Sequence, residues 1–268
     1  MKNKIVFVFF TLLAFSCNSK QEENKTNTVN NSKKEIVNDT TLTTKTADAV
    51  HYQTSVFDDP KFADRIKADK EKLKKLSEEQ LFSAMSSKSI AKLNEKQQLF
   101  FNTNSNYELL CFAKGNLFQE SNNDYVFIVY DKENIKTKIL LYNDKTSQYA
   151  ELFKDIKVEN RLENADCGSY SFGTLDYQFA IEHLIMNEDA LKITPQYYLE
   201  DVPVKITDIS KDDNFVLKEG CFAKNASRKS LANTLCISTS PVYSNWECLQ
   251  YNKTNNTFFI FYSQAFAD

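Results

Sequence analysis

Two periodicities divide the chain. Between residues 57 and 99 apolar positions recur every three or four residues, which is the signature of amphipathic helices. Phe62, Ile66, Leu73 and Leu76 share one helical face, with Lys, Asp and Glu opposite. Asp58 or Asp59 is placed to cap this helix, with Pro60 in its first turn. Ser77 and Gln80 have the spacing of a capping box, with Leu76 and Leu81 as its hydrophobic staple. They predict a second short helix through Met85, and Ser89 to Leu99 a third.

From Asn106 the period shortens to two. Tyr107–Phe112, Tyr125–Tyr130, Ile135–Tyr142 and Tyr149–Phe153 read as strands separated by polar turns. Tyr125–Tyr130 is apolar on both faces, as a central strand requires, and its short link to Ile135–Tyr142 predicts an antiparallel hairpin. Leu175 to Leu191 returns to helical spacing, and Pro195 ends it. Val202–Ile209 and Phe215–Phe222 read as further strands. Trp246–Tyr251 and Thr257–Tyr262 form a terminal hairpin through Lys253-Thr254-Asn255-Asn256. The expected class is α+β: N-terminal amphipathic helices packed on a mainly antiparallel β-sheet, with one further helix near 175–191.

The first 50 residues follow neither pattern. Lys2 and Lys4 precede an apolar run from Ile5 to Phe15, too short to span a bilayer alone and suited to a secretory signal. The stretch Leu13-Ala14-Phe15-Ser16-Cys17 resembles the lipobox of bacterial lipoproteins. That resemblance implies cleavage before Cys17 and lipidation of Cys17, giving a membrane anchor through the N-terminal lipid. Asn18 rather than Asp follows, which in such lipoproteins favours the outer membrane. Residues 18–50 are rich in Thr, Asn, Lys and Glu without periodicity, and read as a disordered tether spanning about 30–40 Å. The expected organisation is a signal peptide at 1–17, a tether at 18–50 and one α+β domain at 51–268.

Composition narrows the partners. The formal charge is -3 and the only arginines are Arg65, Arg161 and Arg228, so a nucleic-acid partner is not expected. Of six cysteines, five lie beyond Cys17, so at least one is a free thiol or bonds another molecule. Cys236 and Cys248 flank a turn-rich stretch and are the best candidates for a disulfide in an oxidising compartment. Two histidines and no CxxC make a structural zinc site unfavourable.

Candidate chemistry is sparse. Residues 115–142 resemble a degenerate FG-GAP or VCBS-type repeat unit, in which an acidic loop runs into an apolar strand. Asn116, Glu120 and Asp124 carry oxygens at ligand-like positions. Phe118 stands where a ligand belongs and Ser121 where a glycine does, so the stretch is read as a polar hairpin loop, not a calcium site. In Gly168-Ser169-Tyr170-Ser171-Phe172-Gly173 the glycines are one residue too far apart for a nucleophile elbow. A Ser171/His183/Asp176 triad or a Cys167/His183 pair finds no further support, and His183 is read as a polar residue on a helix. His51 is expected in solvent. With glycine only at Gly115, Gly168, Gly173 and Gly220, Walker and Rossmann loops are absent and no cofactor is expected. The aromatic content of 13% fits core at strand positions, while Tyr243 and Trp246 are candidates either for a binding surface or for covering the end of the sheet.

The expected function is a lipid-anchored envelope protein acting as a non-enzymatic binding or protective module for a protein or envelope component. A hydrolase with a site assembled from distant residues, and a structural envelope protein, are the alternatives.

Overall fold

The computed structural model describes residues 52–53, 60–162, 203–226, 228–238 and 245–265. The signal, lipidation site and tether, the expected caps Asp58 and Asp59, and the expected helix at 175–191 lie outside the described residues. Residues 48–268 form one compact unit. Its α+β class is as expected, and its antiparallel strands are divided between two sheets.

Three helices come first. A 3-10 turn at Pro60–Phe62 leads into α1 (Ala63–Glu78), which buries Ile66, Asp69, Leu73 and Leu76. α2 (Leu81–Ile90) buries Phe82, Met85, Ser86 and Ser89, and α3 (Glu95–Thr103) buries Gln97 and Phe101. The expected capping box is not formed. Ser77 lies inside α1, whose last turn closes through Glu79 N to Lys75 O and Gln80 N to Ser77 O. Gln80 reverses the chain at a left-handed φ of 59°, without capping α2 through its side chain. The third helix starts later than expected: Asn94 caps α3 by accepting a hydrogen bond from Gln97 N at 3.1 Å.

The smaller sheet is a meander of β2 (Tyr107–Gly115), β3 (Asp124–Asp131), β4 (Lys136–Asn143) and β5 (Gln148–Glu151). The larger runs β1 (Tyr52–Gln53), β6 (Val158–Asn160), β10 (Thr257–Gln264), β9 (Trp246–Asn252), β8 (Thr234–Ser238) and β7 (Val204–Thr207). Only the β6/β10 pair among these is parallel. Val126, Ile128, Ile139 and Leu141 of the small sheet share a core with Leu235, Ile237, Leu249, Phe258 and Ile260 of the large one. Alternation along each strand sends the other set outward. There Phe127, Leu140 and Tyr142 meet α3 through Phe101, and Phe100 stacks on Tyr149 at 3.7 Å.

The free edge of β2 is covered rather than exposed. A bulge leaves Leu110 without a cross-strand partner, and α2 bonds the local backbone. Leu109 N donates to Ser86 Oγ at 2.8 Å, and Ser89 Oγ donates to Leu110 O at 3.1 Å. The serines on the buried face of α2 therefore have a structural cause.

The expected strand at 215–222 is replaced by an irregular cover for the outer face of the large sheet. Val216 N donates to Gln264 Oε1 and Leu217 N to Tyr262 Oη, so side chains take the place of a neighbouring strand. Leu217 is left-handed, at φ 51°, and only Phe222 bridges β10, at Tyr262. Phe215 and Phe222 pack there on Trp246, Phe261 and Tyr262. Trp246 is thus buried core and not surface, while Tyr243 lies outside the described residues. Beneath this cover Cys236 and Cys248, opposite each other on β8 and β9 with Cα atoms 4.1 Å apart, form a disulfide. Cys221 is also disulfide-bonded, whereas Cys111 is a buried free thiol whose ionisation burial opposes.

Gly115 marks the close approach of β2 and β7. A Cβ on it would lie 2.6 Å from Ile206 Cγ2 and 2.8 Å from Ile206 Cβ, too near to coexist. Gly115→Ala is expected to destabilise the protein by about 1–3 kcal/mol in urea unfolding. Adding Ile206→Ala should recover part of that loss; a strictly additive double variant would contradict the steric cause.

Candidate binding surface

One end of the two-sheet stack is formed by three connections: the β2–β3 loop at 116–123 and the hairpin tips at 144–147 and 253–256. The two tips, and the opposite-end tip at 132–135, obey one local rule. Each has four residues and closes on a left-handed residue: Ser147, Asn256 and Ile135, with φ of 59°, 54° and 51°. Each opens on an Asp or Asn whose side chain gathers the turn's amides. Asn143 Oδ1 accepts from Thr146 N, Asn252 Oδ1 from Thr254 N, and Asp131 Oδ1 from Glu133 N and Asn134 N.

The longer loop is organised from β3. Asp124 is fully buried, and its carboxylate accepts from Phe118 N at 2.9 Å and from Asp144 N at 3.0 Å. It therefore fastens the 116–123 loop to the neighbouring hairpin tip. Burial pushes its carboxyl above the ordinary value, against the pull of the two amides. Phe118 anchors the loop to the other sheet, 4 % exposed, with its ring 4.9 Å from Tyr251 and 6.0 Å from Phe258.

Glu120 adds an ionic tie. Its Oε1 lies 2.9 Å from Lys145 Nζ and 2.5 Å from Lys253 Nζ, so one carboxylate joins tips from both sheets. Hydrogen bonds from Lys253 and Lys145 hold this carboxyl below its ordinary value. A depressed carboxyl contributes above its unfolded pKa of about 4.3, and the contribution is lost as pH falls through the folded value. The tie is therefore intact at neutral pH. Ser121 Oγ donates to Asp144 Oδ2 at 2.7 Å, and Gln119 Nε2 to Tyr251 O at 3.4 Å. Asn255 Nδ2 donates to Glu159 Oε1 at 3.1 Å, and Arg161 pairs with the same carboxylate.

The three oxygens singled out in the sequence thus have separate settings. Asp124 faces backbone amides, Glu120 faces two ammonium groups, and Asn116 Oδ1 is buried without a hydrogen-bond partner among the described residues. Phe118 is the residue whose role the sequence hid: the strand it packs on lies some 130 positions further on. Among the described residues no group of three or more His, Cys, Asp or Glu side chains is placed to hold a metal. Cys17, His51, Cys167, Ser171, Asp176 and His183 lie outside the described residues.

Comparison with family models, with curated proteins and with solved structures finds no match for this chain. The surface is polar and amide-rich, and it is held by the buried Asp124 and Phe118 together with the ion pairs of Glu120.

Asp124→Asn leaves one acceptor oxygen and turns an NH2 toward a backbone amide. It is expected to cost about 1–3 kcal/mol in urea unfolding, and Asp124→Ala more. An Asp124→Asn variant as stable as the parent would show that the two amide bonds do not hold the loop.

Proposed function

We propose that the chain is an exported bacterial lipoprotein, anchored in the cell envelope through lipidated Cys17, with the outer membrane favoured. Its domain is a non-enzymatic binding or protective module for a protein or envelope component. The Cys236–Cys248 disulfide and the bonded state of Cys221 support the compartment, because thiols in the cytosol are kept reduced.

The binding reading rests on the tie between the two sheets. Glu120 and Phe118 hold loops from separate sheets as one polar surface, which lowers the ordering cost of recognition. The carboxylates around it serve structure: Asp124 bonds loop amides, and Glu159 bonds Arg161 and Asn255.

Two measurements test the proposal. Mass spectrometry of protein extracted from the envelope is expected to find a mature chain beginning at an acylated Cys17; an unacylated terminus or another start would overturn the anchor. Cross-linking followed by pull-down from solubilised envelopes is expected to recover one reproducible partner, lost when Asn122→Arg and Thr254→Arg are combined. Recovery of no partner, or of one indifferent to these exposed substitutions, would contradict the binding surface.

A further inference from the structure

A second site lies on the cover over the outer face of the large sheet, within residues 219–228. A cleft of about 570 Å³ there is lined by Glu219, Phe222, Lys224, Asn225 and Arg228, among others. Its size suits a small molecule or a headgroup rather than a lone ion. The segment from 218 to 229 carries Lys218, Lys224, Arg228 and Lys229 against a single acidic residue, Glu219, in a chain whose net charge is -3. Cationic charge is thus concentrated locally, against the balance of the molecule.

The cleft is also built. Phe222 packs 4.8 Å from Tyr262, Ala223 N donates to Phe261 O at 2.8 Å, and Cys221 is buried and disulfide-bonded. The first two contacts pin the floor to β10. Arg228 lies over the Phe222 ring at 4.4 Å, which fixes the plane of its guanidinium. One edge of that guanidinium is engaged by Glu219: Nη1 pairs with the carboxylate, and Nη2 donates to the backbone oxygen at 3.3 Å. Glu219 is 82 % exposed, so an internal anion occupies the cation from the solvent side. A guanidinium has five donors in a planar fork, leaving others to reach a second anion. Lys224 and Lys229 make no ion pair among the described residues.

We propose that this cleft binds a phosphate-bearing small molecule or headgroup, with Arg228 and Lys224 contacting the phosphate and Phe222 holding Arg228 in plane. A lysine lining the same cleft as the planar fork matches a multiply charged phosphate better than a single carboxylate. Glu219 competes with the ligand for Arg228. The inference is independent of the anchor at Cys17 and of the loop surface at the end of the sheets.

Equilibrium dialysis of the detergent-solubilised full chain against radiolabelled pyrophosphate at fixed ionic strength tests it. Saturable binding is expected, weakened about tenfold or more by combining Arg228→Gln with Lys224→Gln. Glu219→Gln, which removes the competitor, is expected to tighten binding several-fold. Lys96→Gln, on α3 and away from the cleft, should change nothing. Lys224→Gln alone, at an exposed position, keeps the test valid if the Arg228 variant does not fold. Displacement of pyrophosphate by short-chain phosphatidylglycerol but not by glycerol phosphate would identify a lipid headgroup, and displacement by both a phosphate ester in general. Absence of saturable binding at millimolar pyrophosphate, or binding equal in parent and cleft variants, would overturn the proposal.

Discussion

All eight residues of β3 are buried, and that constraint shapes the rest of the domain. A strand covered on both faces needs a layer on each side. The large sheet and α2 cover the face of Val126, Ile128 and Tyr130, with Phe82 against Tyr130, while α3 and the aromatic residues around it meet Tyr125, Phe127 and Val129. Burying side chains of this kind contributes about 1.5–3 kcal/mol each, well beyond what the exposed ion pairs nearby contribute. The strand also begins and ends in buried carboxylates, Asp124 and Asp131. Neither can stay buried without partners, so each draws loop amides toward it. Asp131 additionally receives Lys138 at 2.7 Å. Burial opposes its ionisation, yet Lys138 and Asn134 outweigh burial and hold the carboxyl below its ordinary value. The polar loops are consequences of how the core strand terminates.

Much of this was legible from local pattern. The double-sided apolar run at 125–130 identified the central strand, and the four-residue turn at 253–256 fell where the final hairpin places it. Reading failed where a local signal had a distant partner. Asp124 has the type and spacing of a ligand, but its partners are backbone amides, which no side-chain pattern records. The alternation of Phe215 to Phe222 marks burial on one side, and only the side chains of Tyr262 and Gln264 show why no strand forms there. Ser77 and Gln80 match a capping box, yet the stripe through Leu73 and Leu76 carries α1 past Ser77 to Glu78, which leaves Gln80 in the reversal. β8 escaped notice because Thr234–Ser238 is short, although its Cys236 was singled out for pairing.

The two surfaces differ in the chemistry they offer. The loop surface at the end of the sheets is amide-rich, with its cations Lys145 and Lys253 engaged by Glu120. The cleft on the outer cover gathers cationic charge around an arginine held flat on an aromatic ring. Neither could be assembled from the sequence alone. The first depends on loops from separate sheets, and the second on a cover segment that bonds side chains instead of strands. Both rest on the same two-sheet core.

Native-state hydrogen exchange across the two sheets is the most direct test of β3 as the constraint that unites them. The amides of Val126 to Val129 are expected to exchange only through global unfolding, with the same free energy as those at the centre of β9 and β10. Exchange of β3 through a smaller opening, with β9 and β10 still protected, would mean that the sheets are separate cooperative units and would contradict a core organised around this strand.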